Sequence, residues 1–169
     1  MFSTVKAFFR SLGDPLASRD RPPSDHELQV ATAALLLEMM RADREISEAE
    51  QAAVIRALRE KFGLSEEETR DLVQLADEAA RAASGSYDFT SVINRGFDAG
   101  EKIRVIEYMW QIAYADGHLC AHENHLMRRI ADLLHISHGD YCAVKERARL
   151  AMTGQGLEFT PPDEAGSGC

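Results

Sequence analysis

Cysteine is scarce in this sequence, which has only Cys120, Cys142 and Cys169 among its 169 residues. The number is odd, and no two of the cysteines stand in a C-x-x-C pair. Small secreted domains that depend on disulfides carry more cysteines at short spacings. The pattern therefore favours a reducing compartment, and we expect the protein to be cytoplasmic.

Long apolar runs and strand-like patterns are also missing. A membrane-spanning helix needs about 20 consecutive apolar residues, whereas the richest stretch, residues 31–40, is short and is interrupted by Glu38. Aromatic residues make up 7% of the chain, and its β-branched residues never alternate with polar ones as they do in strands. These absences argue against both a membrane span and a sheet.

Basic residues are outnumbered, with 19 lysines and arginines against 28 aspartates and glutamates. The formal net charge of -9 repels a phosphate backbone, and the basic residues form no cluster. We therefore expect no nucleic-acid partner. Nucleotide binding has no support either, because SGSYDF and INRGFDAG lack the glycine spacing and the flanking strand of a phosphate loop.

Helix-forming residues dominate what is present, including abundant Ala, Leu, Arg and Glu and six methionines. The hydrophobic content of 45% is enough to fill one core. We predict an all-α fold, a compact bundle of about seven helices in a domain spanning residues 25–152. An N-terminal segment and Pro-rich linker (1–24) precede this domain, and a disordered tail (153–169) follows it.

Helical periodicity and capping residues indicate where the seven helices lie. The first and the fifth are apolar around most of their circumference, as is typical of helices enclosed by others. Tyr108 and Trp110 of the fifth are expected in the core. The fourth should have only one or two turns. The predicted spans are residues 26–42, 48–62, 66–83, 88–96, 99–113, 121–134 and 138–150.

The Phe-rich start of the chain, MFSTVKAFFRSL, sets apolar side chains against Lys6 and Arg10. This pattern leaves several interpretations open. One is a weak interfacial helix that makes peripheral contact with a membrane, and another is a short transit-like segment. A third is a segment that docks on its own domain or frays.

A short repeat joins the two central helices to the helices that follow them. Residues 42–50, ADREISEAE, align with residues 115–123, ADGHLCAHE, at a constant offset of 73 (115 minus 42). At this offset, alanine, aspartate and glutamate of the first copy each align with the same residue type in the second copy. Each copy connects an apolar helix to an amphipathic one, which predicts two related helical hairpins.

An apolar helix that ends in Ala-Asp-Gly, followed by a hydrophobic residue and an early acid in the next helix, resembles the TerB-like proteins. The N-terminal domain of the DjlA co-chaperone is similar, and the resemblance covers residues 26–150. It implies an all-helical fold, an association with tellurite resistance, stress responses and membrane-linked complexes, and metal binding by acidic residues. This chain has Arg44 in place of the first turn glycine, and it lacks the His-Pro-Asp signature that J-domain activity needs.

The repeat supplies one candidate metal site. Asp43 with Glu50, and Asp116 with Glu123, would place two carboxylates around each helix-helix turn, where oxygen ligands suit a hard divalent cation. A structural interpretation competes with this one, because Ser47 and Glu50 form an S-x-x-E capping box. The spacing also lacks the twelve-residue pattern of an EF-hand.

A cluster of histidines supplies an alternative site for a transition metal. His118, Cys120, His122 and His125 lie within eight positions, and His122 and His125 share one helical face. The sequence HENH is one residue too short for the HExxH motif of zinc proteases. Histidines scattered over the surface are the structural alternative.

No nucleophile elbow or known Cys-His family context surrounds Cys120, so we expect no enzyme. The leading hypothesis is a non-catalytic TerB-like module that serves a stress response through a protein partner. A divalent metal ion at the paired Asp/Glu turns would tune that module. The alternatives are a transition-metal binder that uses the His/Cys cluster and a membrane-surface adaptor that uses the Phe-rich start.

Overall fold

The computed structural model describes residues 21–42, 46–115, 117 and 119–154. Over these residues the chain forms seven α-helices and no strand, so the predicted all-α bundle is confirmed. The helices are α1 (Asp25–Arg41), α2 (Glu48–Phe62), α3 (Glu66–Ala82), α4 (Tyr87–Gly96), α5 (Ala99–Ala113), α6 (Ala121–Leu133) and α7 (His138–Thr153).

Side-chain caps explain where most of the helices begin. Ser24, Ser47, Ser65 and Asp98 each accept a hydrogen bond from the backbone N–H three residues later, where a glutamate bonds back to the cap. This reciprocal capping box satisfies two backbone donors that a helix leaves unpaired. At its other end α2 stops at Gly63, whose φ of 64° costs glycine little.

α1 runs through the middle of the bundle and contacts α2, α3, α4, α5 and α6. Every residue from 30 to 37 is buried, which covers all sides of the helix and not a single stripe. This burial explains why the sequence of α1 is apolar around its circumference. The predicted central position of the first helix is confirmed.

α5 is the second enclosed helix, with every residue from 105 to 110 buried, including Tyr108 and Trp110. Glu107 lies within this run and accepts hydrogen bonds from Arg147 of α7 at 3.0 Å and from Arg104 at 3.1 Å. Arg104 also donates to Glu60 of α2 at 2.8 Å. A chain of ion pairs therefore joins α2, α5 and α7 around a mostly buried carboxylate.

α4 is longer than the sequence pattern predicts. The pattern indicates one or two turns, whereas the helix spans ten residues and buries its apolar face. α4 packs on α1 at Gly96, where a Cβ atom would lie only 2.6 Å from Cδ2 of Leu28. The missing side chain at Gly96 thus permits close approach of the two helices, and this tertiary contact supports the additional turn.

None of the helices in the described part of the chain has the length and apolar character that a bilayer crossing requires. Several predictions concern residues outside that part. They are the N-terminal segment (1–20), the tail (155–169) and the turn residues Asp43, Arg44, Asp116 and His118. The domain limits and the relation between two hairpins stay predictions.

Candidate functional site

The corner between α1 and α2 is organised by Ser47 and Glu50. The Glu50 backbone N–H donates to Ser47 Oγ at 3.1 Å. In return, Oε2 of Glu50 accepts from the Ser47 backbone N–H at 2.8 Å and from the Ser47 hydroxyl at 2.9 Å. The Glu50 side chain is buried, with 1% of the residue exposed. The capping box that the sequence predicts is therefore confirmed.

The corner between α5 and α6 repeats this arrangement with sulfur in place of a hydroxyl oxygen. The Cys120 backbone N–H donates to Oε2 of Glu123 at 2.8 Å, and the Glu123 N–H donates to Cys120 Sγ at 3.4 Å. Glu123 is 1% exposed, as Glu50 is. Gly117 precedes the cap with a φ of 77°, the left-handed conformation that glycine adopts most readily.

The two corners differ in how they are packed. Ile46, the residue before the first cap, is 45% exposed, whereas its repeat equivalent Leu119 is 1% exposed. A hydrophobic residue at this position often packs against the first turn of the following helix. In this chain the hydrophobic residue is buried at the second corner only, so the sequence repeat does not produce two identical sites.

The capping bonds limit how the corner glutamates can bind a metal ion. One carboxylate oxygen of Glu50 and of Glu123 already accepts from the N-cap, and both residues are buried. No group of three His, Cys, Asp or Glu side chains converges anywhere in residues 21–42, 46–115, 117 and 119–154. Asp43 and Asp116, which the sequence pairs with these glutamates, lie outside those ranges.

The histidine-rich stretch is spread over two helices and a turn. His122 and His125 are exposed on α6, whereas Cys120 is buried at its start. His138 lies at the start of α7, with Nε2 3.5 Å from Sγ of Cys142. His118 lies outside the described residues, so the four-ligand set of His118, Cys120, His122 and His125 stays a prediction.

A polar contact that sequence reasoning missed joins α1 to the start of α4. The hydroxyl of Ser86 donates to Oε2 of Glu38 at 2.5 Å, and Ser86 itself is buried. Burial raises the pKa of Glu38, while the Ser86 hydrogen bond and then the charges of Arg129 and Arg41 act in the opposite direction. The two residues are 48 positions apart in the chain, so no local motif indicates the contact.

An aromatic cluster joins α5 to α7. The rings of Trp110 and Tyr114 stack with centroids 5.4 Å apart, and Tyr141 lies 5.7 Å from Trp110. The Lys145 ammonium sits 5.0 Å from the centroid of the Trp110 ring. Burial raises the pKa of Tyr114 to about 12. All three aromatic residues are buried, so the cluster stabilises the helix pair and is closed to a ligand.

A groove lies on the outer face of α2 and on the turn that follows it. The space above this surface measures about 620 Å³ and is largely open to solvent. Apolar and charged side chains line it together, an arrangement that is typical of surfaces that bind other molecules. The side chains that define it belong to Ala52, Ile55, Arg56, Arg59, Glu60 and Leu64.

Comparison with known proteins identifies a family for most of the chain. The family model described as tellurite resistance protein TerB matches residues 29–146. No curated protein and no solved structure matches the chain. The matched range begins in α1 and ends in α7, so it includes both capped corners and the groove on α2.

Proposed function

The chain belongs to the TerB family, and from that premise we propose that it is a non-catalytic stress-response module that acts by binding a partner protein. The groove on α2 is the observation that carries this proposal. It is an open feature on the surface of an otherwise tightly packed helical bundle. An open surface on which apolar and charged side chains lie together suits protein recognition better than binding of an enclosed small molecule.

Ile55 is central to this proposal. Its side chain is half-buried and lines the groove, yet it is not among the described side chains that pack on the hydrophobic core. A partly exposed apolar side chain in a concave site gains free energy when a partner covers it, at roughly 25 cal/mol for each Å² of apolar surface buried. The groove therefore offers a partner a hydrophobic anchor point.

A genetic complementation experiment tests the proposed function. A strain that lacks the gene should survive tellurite or another chemical stress less well than its parent, and the wild-type gene should restore survival. An Ile55→Asp variant should fail to restore it, because a carboxylate in the groove blocks apolar contact. Leu150→Asp is the matched control, since Leu150 is 56% exposed on α7 and lies outside the groove.

Two results would contradict the proposal. Equal survival of the deletion strain and its parent under every stress tested would remove the stress role. Full complementation by a folded Ile55→Asp protein would remove the groove from the function. Circular dichroism of both purified variants establishes that the helical fold is intact in each case.

A second candidate function is the binding of a divalent cation at the two corners. Glu50 and Glu123 occupy equivalent positions in the third residue of α2 and of α6. Each glutamate carries a second carboxylate oxygen besides the Oε2 that accepts the capping bond. Asp43 and Asp116 would supply the partner carboxylates, and calcium or magnesium is the expected ion because all four groups are oxygen ligands.

The cation proposal has its own test, which is independent of the groove. A bound ion stabilises the folded state by RT ln(1 + [L]/Kd). Wild-type protein should therefore melt at a higher temperature with the cation than with EDTA. Each of Glu50→Gln and Glu123→Gln should reduce the difference, and the double variant should remove it. An increment that persists in the double variant would place the ion elsewhere.

A further inference from the structure

The groove on α2 carries two arginines with no acidic partner. Arg56 and Arg59 are exposed and one helical turn apart, and no carboxylate in the described part of the chain lies within ion-pair distance of either. Seven other described arginines have a carboxylate within 4.0 Å, whereas the exposed Arg128 and Arg129 of α6 have none among the described residues, as is true of Arg56 and Arg59. The seven are Arg21, Arg41, Arg70, Arg81, Arg104, Arg147 and Arg149.

The nearest acid in the groove is already engaged. Oε1 of Glu60 accepts a hydrogen bond at 2.8 Å from Arg104 of α5, so this carboxylate turns towards α5 and its charge is offset there. The groove therefore presents the positive charges of Arg56 and Arg59. The net charge of the chain is -9, so an anionic group is attracted only locally, where arginines such as these two lie.

A purely structural role accounts for only one of the two arginines. Arg59 lies in the last turn of α2, where a cation interacts favourably with the helix dipole. Arg56 is a turn earlier, beyond the reach of that effect. Its neighbours in the groove are Ala52, Ile55 and Glu60 on the same helix, and the acidic one, Glu60, is bonded to Arg104.

We propose that the α2 groove binds an acidic segment of a partner protein, which places an apolar side chain between Ile55 and Leu64 and carboxylates on Arg56 and Arg59. This inference rests on the proposed function and adds the chemistry of the partner. Arginine binds carboxylates through paired, charge-assisted hydrogen bonds. The apolar lining favours a peptide over a bare anion, because a peptide also buries the exposed part of Ile55.

Peptide selection on the full-length protein tests this proposal. A random peptide library is displayed against the immobilised chain, and enriched peptides are synthesised and measured by fluorescence anisotropy. We expect them to carry aspartate or glutamate on either side of leucine, isoleucine or phenylalanine. Their binding should weaken as salt rises, since the ion pairs lie at the surface.

Charge-reversal variants locate the binding site. The double variant Arg56→Glu/Arg59→Glu should weaken peptide binding about tenfold or more, because two attractive pairs become repulsive. Arg56→Lys/Arg59→Lys should retain part of the affinity, since the charge remains and the planar geometry is lost. The matched control is Arg70→Glu/Arg81→Glu, which changes the net charge equally on exposed residues of α3. Its affinity for the peptides should be unchanged.

Three outcomes overturn the proposal. One is a selection that enriches no acidic peptide, and another is equal binding to the groove variant and the α3 control. The third is displacement of the selected peptides, at equal or lower concentration, by a synthetic peptide of residues 155–169. That peptide contains LEFTPPDE, and its success would assign the groove to the chain's own tail. Peptide binding and stress survival are separate measurements, so failure of one is distinguishable from failure of the other.

Discussion

Ser86 donates its hydroxyl hydrogen bond to the carboxylate of Glu38 at 2.5 Å instead of capping its own helix. Ser86 is the residue before α4, a position where serine side chains usually bond to the following backbone. Here the bond connects the α3–α4 turn to α1. The Ser86 side chain therefore makes no local capping bond, and its long-range contact holds α4 against α1.

The first prediction concerns this pair. Burial raises the pKa of Glu38 above its usual 4.5, so its protonated form favours the folded state. That contribution is present below pH 4.5 and is lost as the pH rises through the raised value. Ser86→Ala removes a donor to the ionised form, and should lower the free energy of unfolding by about 1–3 kcal/mol at pH 7. The cost should be smaller near pH 4, where the carboxyl is neutral.

Urea denaturation of wild type and variant at both pH values measures this difference. Ser86→Ala in a Glu38→Gln background provides the control, since the pH dependence of its cost should disappear. An equal cost of Ser86→Ala at both pH values, with glutamate at position 38, would show that the hydroxyl does not act on the ionised carboxylate.

The second prediction concerns the approach of α4 to α1. Gly96→Ala would place its Cβ 2.6 Å from Leu28 Cδ2 and 2.7 Å from Pro23 Cγ. Because Leu28 is buried in the core, we expect overpacking to lower stability by about 1–3 kcal/mol. Gly139→Ala on α7 is the control, since the nearest atom to its Cβ is Ser137 Oγ at 3.9 Å.

The control should be neutral or should gain up to about 1 kcal/mol from the lower backbone entropy of alanine. Denaturation midpoints of both variants provide the comparison. The double variant Gly96→Ala/Leu28→Ala shortens the side chain that the new Cβ would contact. Its free energy of unfolding should therefore fall by less than the sum of the losses in the two single variants. A stabilising Gly96→Ala substitution would show that α1 and α4 can move apart at little cost in free energy.

The third prediction concerns alkaline pH. The pKa of Tyr114 is raised to about 12, mainly by burial, from an ordinary value of 10.0. Neutral Tyr114 thus stabilises the fold fully below pH 10, and this contribution is lost as the pH rises towards 12. Relative to Tyr114→Phe, the wild type should lose about 1 kcal/mol between pH 9 and pH 11.

Chemical denaturation across that pH range measures the difference between the two curves. Tyr108 and Tyr141 also have raised pKa values, again mainly by burial, and both remain in the variant. Their effects therefore cancel in the comparison. Parallel stability curves for wild type and Tyr114→Phe would show that Tyr114 ionises as easily in the folded chain as in the unfolded one.

Local signals account for the features that sequence reasoning predicted. The S-x-x-E motif at Ser47 and the apolar circumference of α1 and α5 depend on residues a few positions apart, so the sequence alone displays them. The existence and order of the helices were therefore predictable.

Features that depend on tertiary packing were not predictable in this way. The contact of Ser86 with Glu38 and the extra turn of α4 arise from packing against α1. Cys120 is a weak acceptor and an uncommon N-cap, so residue preferences alone do not predict a second capping box there. The groove requires knowing that Ile55 stays partly exposed while Leu64 packs on the core.

The last prediction separates capping from cation binding at the two corners. Glutamine at position 50 or 123 keeps an oxygen that accepts from the N-cap backbone, so S-x-x-Q remains a capping box. Alanine removes the acceptor as well. In EDTA we therefore expect Glu50→Ala and Glu123→Ala to lose about 0.5–2 kcal/mol each, and the glutamine variants to lose less. If calcium or magnesium binds, it should stabilise wild type. Each glutamine variant should lose the increment of its own corner, because a neutral amide is a weaker ligand for a hard cation, and the double glutamine variant should lose all of it. Asp43→Ala and Asp116→Ala should remove the increment too, since these residues are the proposed partner ligands.

Melting curves of all variants with EDTA and with each cation decide between the two roles. A wild-type melting temperature that no cation changes would leave Glu50 and Glu123 with capping as their role.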